Sequence, residues 1–351
     1  MNITFIAAQF QTDITQVQPL GCGLINDTYL VSSKTQSFVL QRLNQQVFKN
    51  PLAILENLQL LNTFIASQAA SSLALQIPLL LKARTGAFYY QDAQHQYWRA
   101  ITYIKNSYSL LKIENVQQAS QIGFALGQFH RLCNQLPVNS LQCTLANFHI
   151  TPFYLKQYLT ICEQLPPLPC NKASRYCADF IDQIAPLAQE LEQAKSQGLL
   201  PLRVIHGDPK ADNFLFSSKT KQVISLIDLD TVQAGLVHYD IGDCIRSCCQ
   251  DINGGFNINY CRAILASYLQ EAKYFFTPRD YDFLYSAIRL LPFELGLRFY
   301  SDYLQGNCYF KVDYPEQNLE RAVQQFQCCA TIMANEALIK TLITDLISAY
   351  S

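Results

Sequence analysis

The chain has 351 residues, of which 50% are hydrophobic and 15% charged, with a formal net charge of −1. That length suits about two domains with sizeable cores, and the near-zero charge offers no basic face to nucleic acid or an anionic membrane. No stretch is long and apolar enough to span a bilayer, because residues 73–81 are cut by Gln76 and Pro78 and ended by Lys82.

At the start, Met1-Asn-Ile-Thr-Phe5 has no basic region ahead of its apolar residues, so no secretory signal is expected. Residues 17–31 read as a strand, a glycine turn and a returning strand. Gly21 and Gly23 let backbone N–H groups approach phosphate oxygens, and Asn26 and Thr28 follow on the way back. Such a turn alone is more often only a turn; its place ahead of the catalytic motif below makes it a nucleotide-binding candidate. Ser37-Phe-Val-Leu-Gln-Arg42-Leu43 is the expected third strand. Alternation puts Leu40 and Arg42 on one face, so Arg42 is the best cation for nucleotide phosphates, with a surface arginine as the alternative. Leu52, Leu55 and Leu58 have helical spacing, and their helix would carry Glu56 to pair with Arg42 across a nucleotide cleft, unless Glu56 is simply exposed. Tyr89-Tyr-Gln91 and the run from Tyr97 to Tyr103-Ile104 suggest the last strands of this part. Lys105-Asn106-Ser107 then forms a hinge whose backbone would meet adenine.

From about residue 115 the periodicity becomes helical, with helices expected over residues 116–136, 151–163, 173–199, 258–274, 279–302 and 314–334. Pro166-Pro-Leu-Pro169 and Gly254-Gly255 interrupt them as loops. His130 reads as a packed or surface histidine rather than a ligand. The thirteen cysteines are odd in number and contain no C-x-x-C pair. Free, reduced thiols and a cytoplasmic location are expected.

The most specific feature lies between these helices. Val-Ile-His206-Gly207-Asp208-Pro-Lys-Ala-Asp-Asn213 is followed, fifteen residues after Asn213, by Asp228 in Leu-Ile-Asp-Leu-Asp230. Transfer of a γ-phosphoryl group needs a carboxylate to hold the attacking hydroxyl and oxygen ligands to hold Mg²⁺ against the phosphates. Asp208 suits the base, and Asn213 and Asp228 suit the metal, since magnesium takes few protein ligands and keeps water and phosphate oxygens. Residues 213–216 and 223–227 read as strands around the turn-rich Ser217-Ser-Lys-Thr-Lys221. An antiparallel hairpin there returns Asp228 to the end from which Asn213 started. His206 is expected to order the loop through hydrogen bonds, the base role being filled.

These motifs, in this order, resemble the aminoglycoside phosphotransferase and choline kinase superfamily, and within it the bacterial N-acetylhexosamine 1-kinases. The likeness runs through Gly23-Leu-Ile-Asn26-Asp-Thr-Tyr-Leu-Val, Asn147-Phe-His149-Ile-Thr-Pro, the Asp228 segment with Gly235 to Arg246, and Glu294-Leu-Gly-Leu-Arg298 to Tyr309-Phe310. It implies a two-lobed, protein-kinase-like α+β fold: a small N-terminal antiparallel sheet lobe with one helix (1–104) and a larger, mostly helical lobe with a catalytic β-hairpin (105–351). It also implies ATP and Mg²⁺ as cosubstrates, phosphorylation of the anomeric hydroxyl of an N-acetylhexosamine, and substrate contacts from Arg298, Tyr309, Asp230 and the position of Leu24. Asp240 and Asp243 match as braces of the metal loop. Two departures stand out. Leu24 occupies a position where these sugar kinases commonly have histidine, and Ala211-Asp212 differ from their catalytic loop. An aminoglycoside- or choline-type kinase, with an acidic cage near Glu294 and Asp302, and a non-catalytic pseudokinase remain as other readings. Retention of Asp208, Asn213 and Asp228 speaks against the last.

Overall fold

Alternating short apolar and polar runs in the N-terminal part fold as one antiparallel sheet. The computed structural model describes residues 2–21, 25–68, 75–164, 171–251 and 255–350. A short helix α1 (Ile3–Ala7) precedes strands β1 (Ile14–Pro19), β2 (Asp27–Ser33) and β3 (Ser37–Arg42), then helix α2 (Pro51–Ser67) and strands β4 (Leu80–Leu81), β5 (Tyr90–Gln91) and β6 (Tyr97–Thr102). The sheet order is β1-β2-β3-β6-β4, with β5 also on β6. Helix α2 begins with Pro51 in its first turn, where a missing N–H costs nothing.

The two faces of this sheet have different neighbours. Phe38, Leu40, Trp98 and Ala100 pack with Ile6 and Phe10 of the α1 segment. Val39 and Ile101 turn the other way, into a core shared with Leu55 and Leu58 of α2 and with Phe129, Phe214 and Leu226 of the following lobe. Because side chains alternate along a strand, Gln41 and its register partner Arg99 lie on this second, inner face, and Arg42 lies on the outer one.

The second lobe starts at β7 (Ser107–Ser109) and helix α3 (Val116–Cys133), continues through α4 (Thr151–Gln164), α5 (Lys172–Ile184) and α6 (Glu190–Ser196), and then enters the strands β8 (Arg203–Ile205), β9 (Phe214–Ser217), β10 (Val223–Leu226) and β11 (Gln233–Gly235). Helices α7 (Val237–Cys249), α8 (Ile258–Ala272), α9 (Pro278–Asp282), α10 (Leu284–Leu304), α11 (Gln317–Ala334) and α12 (Glu336–Tyr350) complete it. β9 and β10 form the expected antiparallel hairpin, with β7 on its far edge, and β8 pairs with β11. Asn115 caps α3 by accepting from the Gln118 N–H, and α3 lies very close to α8: a Cβ on Gly123 would stand 2.2 Å from the Ile264 carbonyl oxygen.

Several helix expectations need correction. The single helix expected over 173–199 is two, because Pro186 lacks an N–H and falls in a 3-10 turn (Ala185–Leu187) between α5 and α6. The one expected over 279–302 breaks at Phe283 and then runs on to Leu304 with Pro292 inside it. α1 and α12 had no counterpart in the sequence reading. The described cysteines are free, and most are buried in helices. Among the described residues, no helix is long and apolar enough to cross a membrane.

Candidate active site

Strand β8 delivers His206, Gly207 and Asp208 to the end of the β9–β10 hairpin. Gly207 has φ of +89°, and a Cβ there would stand 2.7 Å from the Thr231 side chain, so the turn requires glycine. Asp240, at the start of α7, accepts from the backbone N–H of His206 at 2.6 Å and of Gly207 at 2.8 Å. Burial opposes its charge, but these bonds and His130, whose Nε2 is 2.8 Å away, hold its carboxyl below the usual carboxylate range. The brace expected of Asp240 thus acts on the catalytic loop, and buried His130 supports it. His206 accepts from the Asp208 N–H at Nδ1 and donates from Nε2 to the Ile227 carbonyl at 2.9 Å. One donor and one acceptor suit a neutral imidazole, and burial lowers its pKa accordingly.

Asp208, Asn213 and Asp228 come together at this point. The Asn213 Nδ2 donates to the Asp208 carbonyl at 2.7 Å and to its Oδ2 at 3.3 Å, while the Ile227 N–H donates to the Asn213 carbonyl at 3.0 Å. Asp228 follows in the left-handed region, with φ of +63°, a conformation that Asp tolerates better than most residues. Burial raises the Asp228 pKa to about 7; the charges of Asp230 and Asp208 add to the shift and Lys210 opposes it. Lys210 places its Nζ 3.0 Å from Asp208 Oδ2. Burial works against its charge, but Asp208, Asp228 and Asp212 keep it firmly protonated. With its Nδ2 committed to Asp208, the Asn213 amide has its oxygen left for a cation. Among the described residues no cluster of three His, Cys, Asp or Glu forms a metal cage. An amide oxygen and a crowded carboxylate fit a hard ion that completes its shell with phosphate and water.

The nucleotide-side residues are arranged differently from expectation. Arg42 and Glu56 do not meet. Arg42, on the outer sheet face, pairs with Asp27, both half-exposed, and Glu56 is exposed on α2. The inner-face cation is Arg99, whose Nε and Nη2 donate to Gln41 Oε1 at 3.0 and 2.8 Å and whose Nη2 also pairs with Asp230. Asn26 Nδ2 donates to the other Asp230 oxygen at 2.7 Å, and Thr28 Oγ1 accepts from Gln41 Nε2 at 3.2 Å. Asp230 is only 2% exposed and has both oxygens engaged, so its carboxylate joins the lobes instead of facing a substrate. Gly21 adopts φ of +71°. Gly23 and Leu24 lie outside the described residues. Tyr103 and Ile104 connect β6 to β7, and the Ile104 carbonyl accepts from Ser107 Oγ at 2.7 Å.

Arg298 of α10, expected to contact the acceptor, sits among aromatic rings: Tyr154 at 5.2 Å, Phe148 at 5.3 Å, Phe310 at 5.6 Å and Tyr309 at 6.0 Å from its guanidinium carbon. Among the described residues it has no carboxylate partner. Glu294 and Asp302, each one turn from it on α10, are committed elsewhere. Glu294 accepts from Thr151 Oγ1 at 3.0 Å and lies 3.1 Å from His149 Nδ1. Asp302 accepts from the backbone N–H groups of Tyr309 and Phe310, at 2.7 and 2.9 Å, and from Asn318 Nδ2. Asp243 pairs with Arg246 at 2.8 Å, one turn along α7 from Asp240.

A profile described as a phosphotransferase enzyme family matches residues 16–275. The chain belongs to that family. This phosphotransferase is similar in fold to an aminoglycoside phosphotransferase from Alicyclobacillus acidocaldarius (14% identity, TM-score 0.66, covering 98% of this chain and 96% of that one). It is similarly related to a microcompartment-associated aminopropanol kinase (15% identity, TM-score 0.65, 96% and 98%). An amicoumacin kinase in complex with AMP-PNP, Ca²⁺ and Ami shares the fold at 16% identity, with a TM-score of 0.63 over 93% of this chain and 92% of that one. A homoserine kinase of Parvibaculum lavamentivorans is 35% identical over 101 residues, which are 27% of this chain and 31% of that relative. The match thus covers about a third of the curated relative's length.

In this small-molecule phosphotransferase, sequence reasoning passed over three side chains. Lys210 is the cation inside the Asp208–Asn213 motif, which was a readable signal. Arg99 shares the period-two face of Ile101, which singles it out once the inner face is known. His149 lay within a motif quoted only for its likeness.

Proposed function

We propose that the chain is an ATP- and Mg²⁺-dependent kinase that phosphorylates the anomeric hydroxyl of an N-acetylhexosamine, with Asp208 as the base. The carrying observation is the acceptor side. A guanidinium with no carboxylate partner among the described residues stands in an aromatic enclosure while Glu294 and Asp302 are both consumed internally. Hydrogen-bond donors against aromatic walls suit the oxygens and apolar faces of a neutral sugar. The acidic cage that a polycationic aminoglycoside or choline would find near Glu294 and Asp302 is taken up by donors of the protein itself. Tyr309, exposed beside Arg298, adds a phenol that can give or accept a hydrogen bond.

In this reading Asn213 and Asp228 hold Mg²⁺, which neutralises charge on the triphosphate when bound. Asp208 accepts the proton of the attacking hydroxyl, and Asn213 Nδ2 fixes the carboxylate's direction. An anomeric hydroxyl, more acidic than the others of the ring, gives up its proton readily. Lys210, paired with the base and held charged by Asp228 as well, would face the transferring phosphoryl group and takes the place of Arg42 as the cation of the site. Gly21 and the neighbouring turn serve the phosphates, and the backbone at Tyr103 and Ile104 serves the adenine.

A second reading has one specific support. The local similarity to a homoserine kinase fits an amino-acid alcohol whose carboxylate would lie on Arg298. The test is incubation with ATP and Mg²⁺ and a panel of GlcNAc, GalNAc, other hexoses, homoserine, choline and kanamycin, following ADP and the ³¹P spectrum of the product. An anomeric phosphate on an acetamido sugar is expected. Phosphohomoserine would establish the second reading, and a phosphorylated choline or antibiotic would overturn both.

A further inference from the structure

Both ring nitrogens of His149 face a carbonyl or carboxylate oxygen, whereas His130, with a carboxylate on one side, has on the other a tyrosine hydroxyl that can itself donate. The His149 Nε2 lies 2.6 Å from the Gly207 carbonyl oxygen and its Nδ1 3.1 Å from Glu294 Oε1. A neutral imidazole has one N–H, so it would turn a lone pair on one of these oxygens; only the imidazolium satisfies both. The residue is held in place: it is 3% exposed, has φ of +62°, and its ring lies 5.6 Å from that of Tyr239. Its two partners matter for different halves of the reaction. Gly207 is bonded to Asp208, and Glu294 is one helical turn from Arg298 on α10. Phe148, its immediate neighbour, forms part of the ring enclosure around Arg298 at 5.3 Å.

We propose that His149 is a positioning residue, a doubly donating imidazolium that ties the Gly207–Asp208 peptide to the acceptor-binding helix α10. Asp240 holds the peptide before Gly207 by its N–H and His149 holds the peptide after it by its carbonyl, so both planes flanking Gly207 are fixed on the way to the base. The charged and titratable groups around the ring agree with a cation. Glu294 faces it from α10 and Asp243 and Tyr239 from α7; the neighbouring cations are Arg298 on α10, 5.3 Å from the Phe148 ring, and Arg246 on α7, which is paired with Asp243; the segment 147–152 itself carries no other charge. Burial opposes protonation, but Glu294, Asp243 and the Gly207 carbonyl together raise the His149 pKa.

The inference rests on Asp208 being the base, and two readouts separate its failure from the failure of that reading. The first needs no activity: ¹⁵N chemical shifts of His149 in the full chain at neutral pH should show both ring nitrogens protonated. A lone-pair shift at either nitrogen would overturn the proposal. The second is kinetic, with whichever acceptor the wild type phosphorylates. His149→Gln should lower kcat about tenfold or more, as expected for a base displaced by a fraction of an ångström, with the KM for ATP and acceptor changed less than about twofold. Glu294→Gln, which keeps the side-chain shape, should move the alkaline limb of the kcat profile to lower pH, and His149→Gln should abolish that limb. A His149→Gln enzyme with wild-type kcat, or one whose loss lies wholly in KM, would contradict the inference while leaving the role of Asp208 intact. A wild-type enzyme inactive on every acceptor would count against the function alone, since the ¹⁵N result still decides the state of His149.

Discussion

Arg99 of the small lobe and Asp230 of the large lobe form a buried ion pair, with side-chain exposures of 2% and 3%. The pair lies two residues beyond Asp228. Asn26, which follows the glycine turn, holds the second Asp230 oxygen. One carboxylate therefore joins Asn26, the inner face of the sheet and the segment that follows Asp228. Removing one partner leaves a buried charge unpaired, which costs about 3–5 kcal/mol, whereas replacing both with apolar groups of similar volume costs far less. Urea unfolding should show Arg99→Met and Asp230→Leu each strongly destabilised and the double variant recovering part of the loss. Additive losses in the double variant would remove the pair from the account.

Acid should weaken the fold through Asp240 and Asp280. Both are buried and both have pKa values lowered in the folded chain despite burial, Asp240 by His130 and the catalytic-loop N–H groups, Asp280 by Arg203 and Thr277. An unfolded Asp titrates near about 3.9. A folded value below that means stability is complete above about pH 4 to 5 and is lost as pH falls through the lowered folded value. The urea midpoint should fall steeply below about pH 4. Asp280→Asn should be less stable at neutral pH and show a shallower acid slope; an unchanged slope would rule Asp280 out as a source.

Arg298 is expected to act on acceptor binding alone. Hydrogen bonds from a charged donor contribute about 1.5–3 kcal/mol. Arg298→Met should therefore raise the acceptor KM by about 10- to 100-fold and leave the KM for ATP unchanged. Steady-state kinetics with each substrate varied in turn checks this, and a loss confined to ATP would relocate the residue.

Close helix contact gives a prediction about stability without function. A Cβ at Gly123 would overlap the Ile264 carbonyl, and overpacking of this kind costs about 1–3 kcal/mol. Gly123→Ala should lower the thermal midpoint while kcat stays near the wild-type value.

What the sequence revealed followed from how tightly chemistry constrains spacing. That Asp208, Asn213 and Asp228 meet could be read because a hairpin of that length must return its far end to its start, and the β9–β10 pairing has the register that return requires. The choice of Arg42 failed for a specific reason. Alternation grouped it correctly with Leu40, but nothing local says which face of β3 turns to the cleft; that is decided by α1 and Trp98 packing on the Leu40 side. Glu56 is exposed on α2, the commoner outcome for a helical glutamate, and so has no part in a pair with Arg42. Asp230 looked like a ligand because its partners, Arg99 and Asn26, are 131 and 204 residues distant. Likewise, the break between α5 and α6 was signalled by Pro186, whereas α12 could be recognised only through the contacts that bury Ile339 and Leu342.

The account stands most directly on Asp208 as the group that takes the acceptor's proton. Its decisive measurement is the rate of acceptor-dependent ADP release by Asp208→Asn beside the wild type, at saturating ATP, Mg²⁺ and the acceptor identified from the panel. A fall of about a hundredfold to ten-thousandfold in kcat, with the folded state and the KM for ATP preserved, is predicted. Full-rate ADP release and undiminished phosphorylated product from Asp208→Asn would contradict it.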